Sequence, residues 1–394
     1  GAGDLSTTAS SNTFIGRSAG GSNTTGAFNV FSGAEAGSIN VSGNDNIFIG
    51  YEAGANNNDG NQNVFIGTRA GFVNTVDRNT FVGYYAGTSN TTGLRSVFMG
   101  YQSGKAQTTG VNNTFIGYEA GTATTIAHDN TCLGYSAGWS NITGDANTLV
   151  GSFAGSNLTS QNNTLVGAYA GGQLITGNFN TFIGQGAGGS VTLGQHDTAL
   201  GDGSGFSSPG IDDASAIGYT TLCNADNKVR IGNSSITVIE GQVDWTFPSD
   251  GRFKYNIQDL SVSGLDFIKK LRPVTYQFDR RKYEEHIMQE LPDSVRAKRL
   301  ASMEFNPSEE KTQTGFIAQE VEQTCKDLNY TFSGLHVPEN KTDNYGIAYG
   351  SFVPVLVKAM QEQQAQIEEM KEIIQGLKAE VSALSPYPLM PSQK

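Results

Sequence analysis

The sequence predicts a mainly β protein: a stacked 17-residue-repeat β-solenoid or β-prism, oligomeric, followed by a mixed α+β segment that ends in a coiled coil. Three observations carry this prediction. A glycine recurs at 16, 33, 50, 67, 83, 100, 117, 134, 151, 167, 184, 201 and 218, a spacing of 17 that is twice shortened to 16. Composition then changes at residue 249, since 43 of the 50 glycines lie before it while most charges lie after it. Finally, the apolar positions Leu356, Met360, Ile367, Met370, Ile374, Leu377, Val381 and Leu384, with Gln363 as one polar layer, alternate steps of four and three as a heptad seam does.

The repeat occupies residues 1–225. Each unit has an Asn-x-Phe-Ile-Gly-x-x-Ala-Gly core, so a second glycine follows the first by four residues, as at 20, 37, 54 and 71. Glycine at such fixed places provides for positive φ or close backbone approach. The segment ahead of the first glycine, as in Asn63-Val64-Phe65-Ile66-Gly67, reads as one short strand per coil. Stretches such as Asn23-Thr24-Thr25-Gly26 are turn chemistry. Seventeen residues bury little alone, so the coils must stack, and thirteen of them at about 4.8 Å per strand layer would extend about 60 Å. The asparagine four residues before the glycine (12, 29, 46, 63, 79, 113, 130, 147, 163, 180) becomes an amide ladder in such a stack. Ile66 is expected in a packed column, where aspartate would damage assembly, whereas Asp59 is expected to tolerate asparagine. Tyrosine follows the glycine at 51, 84, 101, 118, 135 and 219, an arrangement read as a packing ladder in preference to a row of sugar-stacking rings.

Residues 226–248 form a β-rich neck that escapes the period, with Ile236, Val238, Ile239 and Val243 after Asn227-Lys228-Val229-Arg230-Ile231-Gly232. Trp245 and Phe247 are expected to be docking side chains whose burial fixes the bond that follows. Beyond residue 249, Thr275-Tyr276-Gln277-Phe278 reads as a strand, and Tyr283 to Met303 reads as helical with a break at Pro292. Thr314 to Gln319 is a strand signal running into a helix. Residues 249–355 thus form one mixed domain, and residues 356–394 the coiled coil and tail.

Charge and cysteine content exclude several classes. Residues 1–248 hold 16 acids and 7 bases, and residues 249–394 hold 21 and 18; a chain with this acidic balance and no basic cluster is unsuited to nucleic acid. Cys132, Cys223 and Cys325 are odd in number and far apart, which indicates neither a disulfide framework nor a zinc site, and no cofactor or metal is expected. None of His128, His196, His286 and His336 lies in a motif. No run of 18 apolar residues suggests a membrane span, and because Gly1 is not an initiator methionine a removed leader or anchor, or a cut piece, is expected.

The junction Pro248-Ser249-Asp250-Gly251-Arg252-Phe253-Lys254 resembles the Ser-Asp-x-Arg-x-Lys signature that opens the C-terminal intramolecular chaperone of phage tailspikes and endosialidases. Further matching blocks are Leu265 to Tyr276, Thr314 to Val321 and Tyr349 to Gln363, in the family's order. The resemblance implies a homotrimer and a domain that cuts itself off before the serine, here at Pro248–Ser249, acting once as a self-cleaving serine endopeptidase with no turnover. Ser249 is then the nucleophile and Lys254 the base; the Asp250-Gly251 turn brings that lysine back to Ser249, or a neighbouring subunit supplies it. The repeat is similar to the heads of trimeric autotransporter adhesins, whose repeat is shorter. Together these imply a subunit of an extracellular fibre or adhesin at a cell surface, a virion or an injection system, with a cell-surface glycan or protein as receptor. Two rivals are a glycan-degrading tailspike, disfavoured because the acids of the repeat are scattered singly, and a monomeric binding solenoid.

Overall fold

A computed structural model describes residues 1–242, 245–301, 303, 305 and 311–384; Val243 of the neck and the tail 385–394 lie outside the described residues. The chain folds into two compact units, residues 1–237 with 281–304, and residues 238–280 with 305–394.

The first unit is a parallel β-solenoid of about thirteen turns, in which each coil contributes one three-residue strand to a single fourteen-stranded sheet. Register follows the sequence period, so Phe48 pairs with Phe65, and a shortened coil is absorbed without slipping, as where Val64 pairs with Thr80. The middle residue of each strand points inward and stacks. Phe14, Phe31, Phe48, Phe65, Phe81, Phe98 and Phe115 form one column with centroids 4.6–5.0 Å apart, continued by Cys132, Leu149, Leu165 and Phe182. A second column of alanines runs beside it, from Ala19 through Ala70 to Ala187. Glycine is needed where these columns touch backbone: Gly104 has φ +56°, and a Cβ there would meet the Phe98 ring at 2.7 Å, while at Gly100, φ +138°, it would overlap the carbonyl of Gly117.

Strand alternation places Ile66 on the other side of the sheet from Phe65. Phe65 is fully buried and Ile66 is 36% exposed, so the packed column belongs to the phenylalanines, and the isoleucine row faces outward. The outer row is apolar along the sheet: Ile15, Ile49, Met99, Leu133, Ile183, Leu200 and Ile231 are all exposed. Each coil therefore closes its own core within one chain and still leaves an apolar stripe.

The asparagine ladder is present, in a form different from side chain on side chain. The Oδ1 of each asparagine accepts the backbone N–H of the corresponding residue one coil on, and its Nδ2, except at Asn130, donates to a carbonyl near the end of its own coil, as from Asn29 to Gly43 and Asn79 to Gly93. Buried backbone groups are satisfied in this way at every turn of the stack. A second buried amide column, Asn23, Asn40, Asn90, Gln107 and Asn141, donates to the glycine carbonyl three residues on; Asn23 and Asn90 open stretches that the sequence reads as turns.

Asp197 occupies one rung of the first ladder. Its Oδ1 accepts from Ala214 N–H at 2.9 Å, but its Oδ2, where the other rungs carry a donating amide, is buried without a hydrogen-bond partner. Burial above all, with Asp212, Asp213 and Asp226 adding repulsion, pushes its carboxyl up to about 7 against the partial relief of the Ala214 N–H. A folded-state value above the unfolded one means that stability is full below about pH 4 and falls as pH rises toward 7, by up to about 1.4 kcal/mol per pH unit over that window. Asp197→Asn should restore the donor, abolish this slope and raise the melting temperature at pH 8 more than at pH 4. An unchanged pH profile in thermal unfolding would refute the assignment.

The last coils are closed by a helical hairpin from much later in the chain, the helices Arg280–Ile287 and Asp293–Ala301, broken at Pro292 as the sequence predicts. Ile287, Met288 and Leu291 bury Leu222. Arg230 donates to the Leu222 carbonyl at 2.9 Å, lies over the Tyr283 ring and pairs at 3.4 Å with Glu284, whose side chain is 1% exposed. A stack of coils has an open end, and these side chains cover it.

In the second unit, Phe267, Val321, Phe332, Phe352 and Val355 form the core. The helix Gly264–Lys270 is capped by Ser263, and Glu362 of the long helix Phe352–Leu384 accepts from Ser263 Oγ and the N–H of Leu265. Those hydrogen bonds, first the Leu265 amide, hold the Glu362 carboxyl below its usual range. The strands Val274–Tyr276 and Gln313–Gly315 pair antiparallel, and the helix Ala318–Asp327 follows. The seam residues Met360, Met370, Ile374, Leu377, Val381 and Leu384 are exposed.

Candidate active site

Ser249 and Lys254 meet. Lys254 Nζ donates to Ser249 Oγ at 2.8 Å, across five residues of one chain. The turn that joins them is a single 3-10 turn, Gly251–Phe253, and its geometry follows from the sequence. Asp250 caps it by accepting the Arg252 N–H at 2.9 Å, and Lys254 N–H closes it by donating to the Gly251 carbonyl at 3.2 Å. The Asp250 carboxylate also takes the Arg252 guanidinium through Nε and Nη2, and these bonds hold its carboxyl below the usual range and Arg252 above its own. Asp250 and Arg252 are thereby occupied with each other, and Lys254 is directed to the serine.

A hydroxyl and an amine at hydrogen-bond distance are the minimal nucleophile and base pair. Pro248, Ser249 and Lys254 are all exposed. The flanking residues are exposed too: Trp245 is 86%, Phe247 91%, Phe253 78% and Tyr255 87% accessible. The burial expected of Trp245 and Phe247 is therefore not made in this single chain. These four and Ile257 are five large apolar side chains that flank Ser249 and Lys254 in the chain, and all are exposed.

The sequence reading passed over one further titratable pair. His336 Nε2 lies 2.7 Å from Oδ2 of the buried Asp343, which also accepts the Glu339 N–H, so the pair closes the loop between them. Spacing alone could not signal it, as the two residues share no motif. Among the described residues no helix is long and apolar enough to cross a membrane.

No curated protein and no solved structure matches the chain. Residues 249–330 match the family model described as chaperone of endosialidase, so the chain is similar to that family over a segment that opens on Ser249 itself.

Proposed function

We propose that this chain is the subunit of a trimeric extracellular fibre or adhesin, of the tail-fibre or tailspike type, whose segment from Ser249 onward is an intramolecular chaperone that cuts itself off. The observation that carries the reading is the Ser249–Lys254 contact at the first residue of the family match. Lys254, as the neutral amine, takes the Ser249 hydroxyl proton while Oγ adds to the Pro248 carbonyl carbon. The Pro248–Ser249 C–N bond then breaks with the proton delivered to the Ser249 nitrogen, leaving an ester between Pro248 and Ser249 Oγ. Water hydrolyses that ester to a Pro248 carboxylate and a fragment beginning at Ser249.

Two apolar surfaces favour assembly with copies of the same chain: the outer isoleucine row of the sheet and the heptad seam of the helix Phe352–Leu384. Both repeat along the sequence, so parallel in-register copies match them residue for residue. The exposed aromatic group around Ser249 would be buried by the same association, and desolvation of Lys254 there is what a basic amine requires. A second reading, a monomeric binding solenoid, is favoured by the one observation that each coil closes its own core.

Ile66→Asp separates them. The residue is outward-facing, so a monomer should tolerate the change, whereas a trimer should be lost or strongly weakened because three carboxylates would enter one interface. Native mass spectrometry of the wild type and variant decides; a wild-type monomer, or a variant trimer as robust as the wild type, overturns the trimeric reading.

A further inference from the structure

The outer tyrosines form a ladder that changes column partway along the solenoid. Tyr84, Tyr101, Tyr118 and Tyr135 stack with centroids 4.9–5.4 Å apart and planes within 10°, so each ring face is covered by its neighbour. The next coil has Ser152 in that column, and the aromatic side chain moves one residue on, to Phe153 and then Tyr169. Across this shift the rings turn: Tyr135 and Phe153 lie 5.1 Å apart at 65°. A cleft of about 330 Å³ opens there, lined by Tyr135, Trp139, Phe153, Glu119, Ser136 and Asn157.

Glu119 gives this aromatic cleft a negative charge. The acids four and five coils earlier in the same column are neutralised, Glu52 by Arg69 at 2.5 Å and Glu35 by Arg17 at 2.7 Å, while Glu119 has no such cationic partner among the described residues. Three aromatic rings that are not all parallel, beside an uncompensated carboxylate on an acidic solenoid, make an environment that attracts an organic cation. The rings contribute their quadrupole and the carboxylate its charge. A sugar-stacking surface would instead need an uncovered flat ring face, which the stacked part of the ladder does not offer.

We propose that this cleft is a binding site for a trimethylammonium group of the choline type. Trp139 and Phe153 supply ring contact, Glu119 supplies charge, and Ser136 and Asn157 border the cleft with polar groups. The site lies on the repeat, so it does not depend on cleavage at residue 249, and its failure would leave the proposed function untouched.

Isothermal titration of the intact chain with choline chloride, phosphocholine and the uncharged choline isostere 3,3-dimethyl-1-butanol tests it. Choline should bind and the isostere should not; phosphocholine binding as tightly would identify a headgroup as the source, and weaker binding a free or amine-linked cation. Glu119→Gln and Trp139→Ala should each weaken choline binding by roughly three- to thirtyfold. Both side chains are partly exposed, and an unchanged melting temperature would show that the fold is kept. Absence of choline binding at millimolar concentration, equal binding of the isostere, or full binding by both variants would overturn the assignment.

Discussion

Ser249→Ala is expected to leave a single full-length chain under conditions where the wild type, if it cleaves as proposed, yields two fragments, residues 1–248 and 249–394. The substitution removes the oxygen that Lys254 Nζ contacts at 2.8 Å, and nothing else in that exposed turn depends on the hydroxyl. Lys254→Ala gives the same outcome by removing the base, while Arg252→Ala, which frees Asp250 to compete for the lysine, slows cleavage without abolishing it. Loss of either member of a two-residue nucleophile and base pair is expected to cost several orders of magnitude in rate, so denaturing electrophoresis reads it as present or absent. N-terminal sequencing of the smaller fragment is the decisive measurement. A start other than Ser249, or an unchanged fragment pattern in Ser249→Ala, refutes the mechanism. Asp250→Asn separates turn formation from chemistry, since asparagine still caps the turn but loses the ion pair.

The second large effect lies in the aromatic column. Phe98 stacks on Phe81 at 4.6 Å and on Phe115 at 5.0 Å and is fully buried, so Phe98→Ala should cost about 3–5 kcal/mol through lost burial and the void left between two rings. The outer ladder gives the contrast: Tyr101→Ala, at a residue 39% exposed, should cost about 1 kcal/mol. Because each coil is stabilised by its neighbours, the Phe98 void should also lower protection of amides one coil away on either side. Chemical denaturation of the Ser249→Ala chain, in which no fragment is lost, measures both. A Phe98→Ala midpoint within error of the Tyr101→Ala midpoint would mean that the column is not the principal core.

Much of this was legible because a repeat states its own geometry thirteen times. The paired glycines mark places where a side chain would strike a ring or a carbonyl of the next coil, and such a constraint leaves no alternative residue. The turn at Asp250-Gly251 could be read for a similar reason, being local, whereas the sequence left open whether Lys254 meets its own Ser249 or a neighbouring subunit's, and the 2.8 Å contact within one chain is a structural finding. The facing of Phe65 and Ile66 could not be read: both sides of the sheet are apolar, so alternation carries no label for inside and outside. Asn23 of the second buried column was read as turn chemistry because a side chain that bonds a carbonyl three residues away has the same composition whether buried or exposed. The hairpin on the end of the solenoid was illegible for the opposite reason. Glu284 meets Arg230 across 54 residues, and nothing in the local pattern of either names the other.

That hairpin would give the proposed cut at Pro248–Ser249 a consequence in terms of concentration. In the uncut chain the hairpin is tethered to the coil it covers, so its rebinding is intramolecular and faces an effective concentration of roughly millimolar, whatever the dilution of the protein. Once the Pro248–Ser249 bond is broken, Ile287, Met288, Leu291 and Glu284 belong to a separate molecule, and their hold on Leu222 and Arg230 is set by ordinary mass action. Cleavage alone therefore moves no atom of the end cover; it converts a contact that dilution cannot break into one that dilution can.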